Sequence, residues 1–333
     1  MPVRSDVTFA ELTSLRLGGP ARRLVEVTTE ADLIEAVRAA DESGEPLLVV
    51  AGGSNLVVAD AGFDGTVVRI ATRGVAVESD GPDTGATVTV AAGEVWDDLV
   101  ARAVAEGWRG IEAMSGIPGS VGATPIQNVG AYGQEVAETI VRLRAWDRHQ
   151  RRVRTFLPGE CGFAYRTSAF KGDDRFVVLD VTYRLPDGAG GSPVRYAELA
   201  RRLGVAVGEP AAASDVRAAV LELRRGKGMV LDDGDHDTWS AGSFFVNPVL
   251  EPSRVPEGAP AWPQPDGRVK TSAAWLIDHA GFGRGHPGPG GRVALSTKHP
   301  LALTNRGGAS TADLLALARE VRDGVRARFG IEL

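Results

Sequence analysis

The chain has 333 residues, 43% hydrophobic and 24% charged, with a formal net charge of −6. That length exceeds one typical core and implies two or three domains of an ordinary globular protein, and an acidic balance without a basic block argues against nucleic acid. One cysteine, Cys161, excludes an internal disulfide and a paired-cysteine metal site, while the lack of an apolar signal core or an 18-residue apolar run predicts a cytoplasmic chain with no membrane insertion.

Residues 24–70 read as a compact α/β unit. "RLVEV" predicts a strand. "TEADLIEAVRAADESG" predicts a helix, with Leu33, Ile34, Val37 and Ala40 on one face, Thr29 as cap and Gly44 as stop. "PLLVVAGGSNLVVAD" predicts an apolar strand, a small-residue turn and a second strand, followed by the strand "GTVVRI". A second unit spans 71–186. "ATVTVAAGEVWDDLVARAVAEG" predicts a strand and then a helix starting near Glu94. Strands are also predicted at "IVRLRAWD", "RVRTFLP" and "FVVLDVTYRL". "PDGAGGSP", residues 186–193, reads as a connector. Beyond it come the helix "SDVRAAVLELRRGKG", a strand at "AGSFFVNPVL", the helix "TSAAWLIDHAG" with Trp275 and Leu276 in the core, and a closing amphipathic helix. No fixed-period repeat is present.

Four stretches carry chemistry. In "VVAGGSNLVV", Gly52 and Gly53 let the backbone approach an oxygen-rich group, and Ser54 and Asn55 add donors. The same pattern also suits an ordinary glycine turn; it is not the GxGxxG of a dinucleotide fold. Residues 110–133, "GIEAMSGIPGSVGATPIQNVGAYG", hold six glycines and little periodicity. So long a loop is usually functional, and its bare backbone with Ser115, Gln127 and Asn128 suits a large cofactor carrying a diphosphate. An Ω-loop without ligand is the other reading. In "AGSFFVNP", alternation would put Ser243, Phe245 and Asn247 on one strand face, with Ser243 either a proton donor or a core serine. Lys227, Lys270 and Arg284 stand in glycine-containing turns, as phosphate contacts or as solvated charges.

"CGFAYRTSAFK" sets Arg166 beside Tyr165 and between Phe163 and Phe170. Its charge either snorkels to water or waits for an anion. His149, His236, His279, His286 and His299 have no metal-ligand spacing, and no metal is expected.

Together, "TSLRLGGPA", "VVAGGSNLVV", "GIPGSVGATPIQNVGAYG", "ECGFAYRTSAFK", "AGSFFVNP" and "PQPDGRVKTSAAWLID" resemble the UDP-N-acetylenolpyruvoylglucosamine reductases across nearly the whole chain. With "VRYAEL", the resemblance is to the form having a substrate-capping tyrosine loop. It implies an α+β fold: a two-subdomain FAD-binding fold of the vanillyl-alcohol-oxidase type and a C-terminal α+β substrate-binding domain. The implied boundaries are 1–70, 71–228 and 229–333. It implies non-covalent FAD held by Gly52, Gly53, Ser54, Asn55 and Leu56, and by Gly116, Ile117, Gly119, Ser120, Gly122, Gln127, Asn128 and Gly130. NADPH is the implied co-substrate and a UDP-sugar enolpyruvyl ether the implied substrate, for a chain expected to be a monomer.

By the same resemblance Arg166 binds the enolpyruvyl carboxylate and stabilises the developing enolate, and Ser243 gives the proton to C2. Tyr165, Tyr196, Lys227, Asn247, Arg284 and His299 fall at substrate-contacting positions. Relatives continue past Leu333 to a Pro-Glu pair whose glutamate is a third catalytic residue, and Glu332 matches a non-catalytic position. Either the given sequence stops short of that pair or this copy lacks the group; only in the second case is severe loss of hydride transfer to substrate expected, with flavin reduction by NADPH largely kept. The alternatives are another flavoprotein of this fold, oxidising an alcohol or amine, and a non-catalytic flavin- or sugar-nucleotide-binding homologue.

Overall fold

The computed structural model describes residues 2–79, 85–188 and 190–333. Two compact units divide the chain. The first holds Met1–Val7, Ala21–Gly52 and Phe63–Arg225; the second holds Thr8–Pro20, Gly53–Gly62 and Gly226–Leu333.

The first unit contains two sheets. Four strands lie in the order Val3–Arg4, Ala21–Val27, Phe63–Ile70, Leu47–Val50. The last three are mutually parallel. Parallel neighbours need a crossover, and the helix Glu30–Ser43 supplies one. It starts where Thr29 accepts a hydrogen bond from the Asp32 N–H and ends where Gly44 turns left-handed at φ 69°. The cap contributes about 1 kcal/mol. Leu33, Ala36 and Val37 on its buried face pack with Val25, Val27 and Val68 of the sheet.

The other sheet has five antiparallel strands in the order Arg152–Phe156, Ile140–Asp147, Phe176–Leu185, Ala86–Ala91, Val75–Ser79. One face buries Val88, Val90, Leu143, Val181 and Tyr183 against the helix Trp96–Ala105. Trp96 is wholly buried, and its indole N–H finds the Met114 carbonyl at 3.1 Å. That bond fastens the 110–133 loop to the core. A smaller cluster forms between the helices Ala197–Leu203 and Ala213–Gly226. Ala189, inside the 186–193 connector, lies outside the described residues.

The second unit gathers Leu276, Ile277, Val293, Leu295, Leu303 and the apolar face of the helix Thr311–Phe329. Two early segments fold with it. Asp60 accepts from the Thr311 N–H at 2.7 Å and the Ala312 N–H at 2.9 Å, at the N-terminus of that helix. Asn305 Nδ2 donates to the Leu15 carbonyl at 3.1 Å.

Two expected strands do not form. After Val50 the chain bends, and "NLVV" is irregular up to Phe63. Its groups serve elsewhere: the Ala59 carbonyl accepts from Gly19 and Gly62 N–H, and the Val58 carbonyl from the Thr311 hydroxyl. "AGSFFVNP" is also irregular, with pairing confined to Val249–Leu250. Gly242 at φ 75° interrupts the extended run, and Pro248 has no N–H to offer a ladder. The helix expected near Glu94 begins at Trp96.

Candidate active site

The 161–171 segment is built around a tight turn. Ala164 and Thr167 exchange backbone hydrogen bonds of 3.1 and 3.2 Å, which leaves Tyr165 and Arg166 at the tip. Arg166 has φ 53°, a left-handed position that glycine or asparagine would occupy without strain. An arginine there costs roughly 1 kcal/mol. A costly residue at a turn tip points to function.

The neighbouring rings do not surround the charge. Phe170 is buried edge-on to Phe156, centroids 5.1 Å apart, and to Phe176, 5.9 Å apart. Phe163 packs against the same core. The half-buried Arg166 turns instead to the glycine-rich loop. Its Nη2 donates to the Gly130 carbonyl at 2.6 Å, and its Nη1 makes a longer 3.5 Å contact with the Asn128 carbonyl. The exposed Tyr165 ring lies 5.8 Å from the guanidinium. Lys171 Nζ donates to the Arg166 carbonyl at 2.8 Å, so it too is anchored rather than snorkelling.

Further bonds lace the turn to residues 110–133. Ser168 Oγ donates to the Ile126 carbonyl at 2.6 Å, and Asn128 Nδ2 to the Ala164 carbonyl at 3.1 Å. Asn128 is buried, its amide also bonded to Glu135 and to the Ala137 N–H. Its side chain therefore shapes the loop. Gln127 is half-buried.

The loop meets the first glycine turn. A methyl group on Gly52 would come 2.8 Å from the Gly119 Cα. Only a hydrogen allows this approach. A Cβ on Gly122 would likewise come 2.5 Å from the Ala92 Cβ. Beside them the Ser120 hydroxyl is buried and, among the described residues, has no hydrogen-bond partner. An unpaired hydroxyl costs about 1–3 kcal/mol, and a phosphate oxygen would satisfy it. The apposed bare backbones and this hydroxyl fit a diphosphate-bearing cofactor. Gly116, Ile117 and Gly130 line the same loop, with Ile117 half-buried.

One brace escaped the sequence reading. Asp97 accepts from the Gly116 N–H at 2.6 Å and takes Arg217 in a fork of 2.6 and 2.9 Å. Burial raises its pKa, but the Arg217 bond and the Gly116 N–H outweigh that and lower it. In sequence it is one of two adjacent acids opening a helix, a pattern explained by the helix dipole alone.

Ser243, Asn247, Lys227, Arg284 and His299 belong to the second unit, with Gly53, Ser54, Asn55 and Leu56. The expected common face of Ser243, Phe245 and Asn247 does not exist: Ser243 is exposed, Phe245 is 5% exposed, and Asn247 is half-buried. The irregular backbone removes the alternation. Asn247 Oδ1 accepts from the Ala273 N–H at 2.9 Å, satisfying the first turn of the helix Ala273–His279. Ser243 Oγ lies 3.0 Å from His299 Nε2. Lys227 is half-buried and Arg284 exposed. Gly53, at φ 60°, is so close to the Leu12 carbonyl that a Cβ would sit 1.8 Å from it. In the first unit Tyr196 is exposed and meets Tyr132 edge-on at 5.4 Å.

Burial lifts the Cys161 thiol to a pKa of about 11, with Glu160 adding to the shift. It is no nucleophile. Among the described residues no helix is long and apolar enough to cross a membrane.

Two family models match the chain. A model for an FAD binding domain matches residues 21–155, and one for the C-terminal domain of UDP-N-acetylenolpyruvoylglucosamine reductase matches residues 234–333. The reductase of that name from Cutibacterium acnes is 60% identical, over 98% of this chain and 88% of its own length. That from Salinispora arenicola is 58% identical, over 99% and 93%. The crystal structure of the Thermus caldophilus reductase superimposes with a TM-score of 0.67 at 26% identity, covering 97% of this chain and 96% of its own. The chain belongs to the UDP-N-acetylenolpyruvoylglucosamine reductase family.

Proposed function

We propose that this chain performs the family reaction through Arg166 and Ser243. The reaction is the NADPH-dependent, FAD-mediated reduction of UDP-N-acetylglucosamine enolpyruvate to UDP-N-acetylmuramate, in peptidoglycan precursor synthesis. Bound FAD supplies the two-electron carriage from NADPH to C3 of the enolpyruvyl group.

The chain's own residues do the rest. Gly52, Gly119 and Ser120 hold the diphosphate, the glycines by close approach and the serine by its hydroxyl. Gly53, Ser54, Asn55, Leu56, Gly116, Ile117, Gly122, Gln127, Asn128 and Gly130 shape the remaining cofactor contacts. Arg166 binds the enolpyruvyl carboxylate and stabilises the charge that develops towards it. Ser243 Oγ delivers a proton to C2. Tyr165, Tyr196, Lys227, Asn247, Arg284 and His299 contact or position the sugar nucleotide. We also assign the enzyme to the cytoplasm as a monomer, a setting that suits one buried thiol.

The observation that carries the residue assignment is Arg166 itself: a strained left-handed arginine whose guanidinium is fixed by a glycine-loop carbonyl. The test is anaerobic. NADPH should bleach the bound flavin, and the enolpyruvyl sugar nucleotide should restore its colour and yield UDP-N-acetylmuramate. A flavin that ignores NADPH but is reduced by an alcohol and reoxidised by oxygen would make the chain an oxidase instead.

A further inference from the structure

A serine that protonates carbon must recover a proton in every turnover, and a serine hydroxyl is a poor acid. Ser243 Oγ has an imidazole nitrogen at 3.0 Å. The turn carrying that imidazole is held from several sides. Ser296 Oγ accepts from the backbone N–H of Lys298 at 3.0 Å and of His299 at 3.1 Å. The His299 carbonyl accepts from the Ala302 N–H at 3.1 Å. Asp237 is nearly buried and accepts from the Thr297 N–H at 2.9 Å and from Arg306 at 3.0 Å. Lys298 is tied by its ammonium to Asp235. A solvated surface histidine needs no such bracing.

We infer that His299 is a positioning residue that orients the Ser243 hydroxyl and restores the proton it loses. This rests on the reading of Ser243 as proton donor. In the step, the Oγ–H bond breaks as the C2–H bond forms. The electron pair left on Oγ takes the proton from Nε2–H of the imidazolium, leaving a neutral ring. The half-buried ring then regains a proton from water. The net change is one proton from solvent, with nothing oxidised or reduced beyond the established reaction.

The test uses the FAD-loaded full chain. His299→Gln keeps a hydrogen-bonding group near Oγ but passes no proton, so KM for the enolpyruvyl substrate should stay within about twofold while kcat falls about tenfold or more. In His299→Ala, added imidazole should restore part of the lost rate, and in Ser243→Ala it should restore none. A readout independent of turnover is the nitrogen NMR signal of His299 Nε2 in the oxidised enzyme, which should move on Ser243→Ala. Full kcat in His299→Gln, no imidazole rescue, or an unmoved nitrogen signal would each overturn the inference. If the unmutated chain's reduced flavin is not reoxidised by the enolpyruvyl substrate, the underlying reading fails instead.

Discussion

The two units present their key side chains in opposite ways. In the first, Arg166 is held by the chain itself: a left-handed backbone, a 2.6 Å bond to Gly130, and a loop tied down by Asp97, Ser168 and Trp96. In the second, Ser243 is exposed on irregular backbone, and its Oγ lies 3.0 Å from His299 Nε2. The difference fits the roles proposed for the two residues. A permanent cation stabilises developing charge best when it need not reorganise at the moment of reaction. A proton donor must move its proton and recover it, so it needs a partner more than a clamp.

The largest effects should come from removing either group. Arg166→Lys keeps the charge and loses the fork, and should slow flavin reoxidation by the enolpyruvyl substrate about 100-fold or more. Ser243→Ala should slow it by about 10²–10⁴. Rapid-mixing absorbance of the reduced flavin measures both. A lysine variant that matched the unmutated chain would mean that the rigid clamp is not needed.

Next comes the cofactor cradle. Gly52→Ala forces the two glycine segments apart, because its methyl would sit 2.8 Å from Gly119. FAD affinity should fall about tenfold or more, read by flavin fluorescence on titrating the apoprotein. An unchanged affinity would dissociate this glycine contact from the cofactor.

A smaller effect is expected from Asp97→Asn. It keeps the shape and weakens both the Gly116 bond and the Arg217 fork. Breaking such a charge-assisted contact costs about 1–3 kcal/mol. Thermal unfolding should begin several degrees lower, with the flavin spectrum disturbed before the bulk fold is lost. Loss of secondary structure first would show that the brace serves the unit rather than the loop.

The smallest effect at neutral pH concerns two buried aspartates, one per unit. Arg175 holds the Asp147 carboxyl down to about 2, against burial and with help from the Gln150 and His149 N–H groups. Burial raises the Asp237 pKa, but bonds from Thr297 and the charge of Arg306 bring it below its ordinary value. Both folded pKa values are depressed, so their stabilisation is complete above the unfolded carboxylate range near 3.8 and is lost as pH falls from there towards about 2. Urea midpoints should be flat from pH 7 to 5 and fall steeply below 4. A flat profile down to pH 2 would remove both ion pairs from the account.

Much of the first unit was legible in its sequence. Thr29 and Gly44 bound their helix as the capping pattern implies, and the strands Ile140–Asp147 and Phe176–Leu185 match their apolar runs. The second unit was harder. The residues of "NLVV" and "AGSFFVNP" have strand composition, but their hydrogen bonds go to partners far along the chain, which composition cannot reveal. The site divided likewise. The motifs single out Arg166 and Ser243 as candidates, whereas Asp97 and the Ser243–His299 pair depend on contacts between distant segments.

The central claim is that a pre-fixed guanidinium at position 166 carries the substrate half-reaction. The most direct test is single-turnover reoxidation of the reduced FAD enzyme by the enolpyruvyl sugar nucleotide, comparing the unmutated chain with Arg166→Lys. The account predicts unchanged FAD content and reoxidation slowed about 100-fold or more in the variant. Equal rates in the two proteins would contradict it.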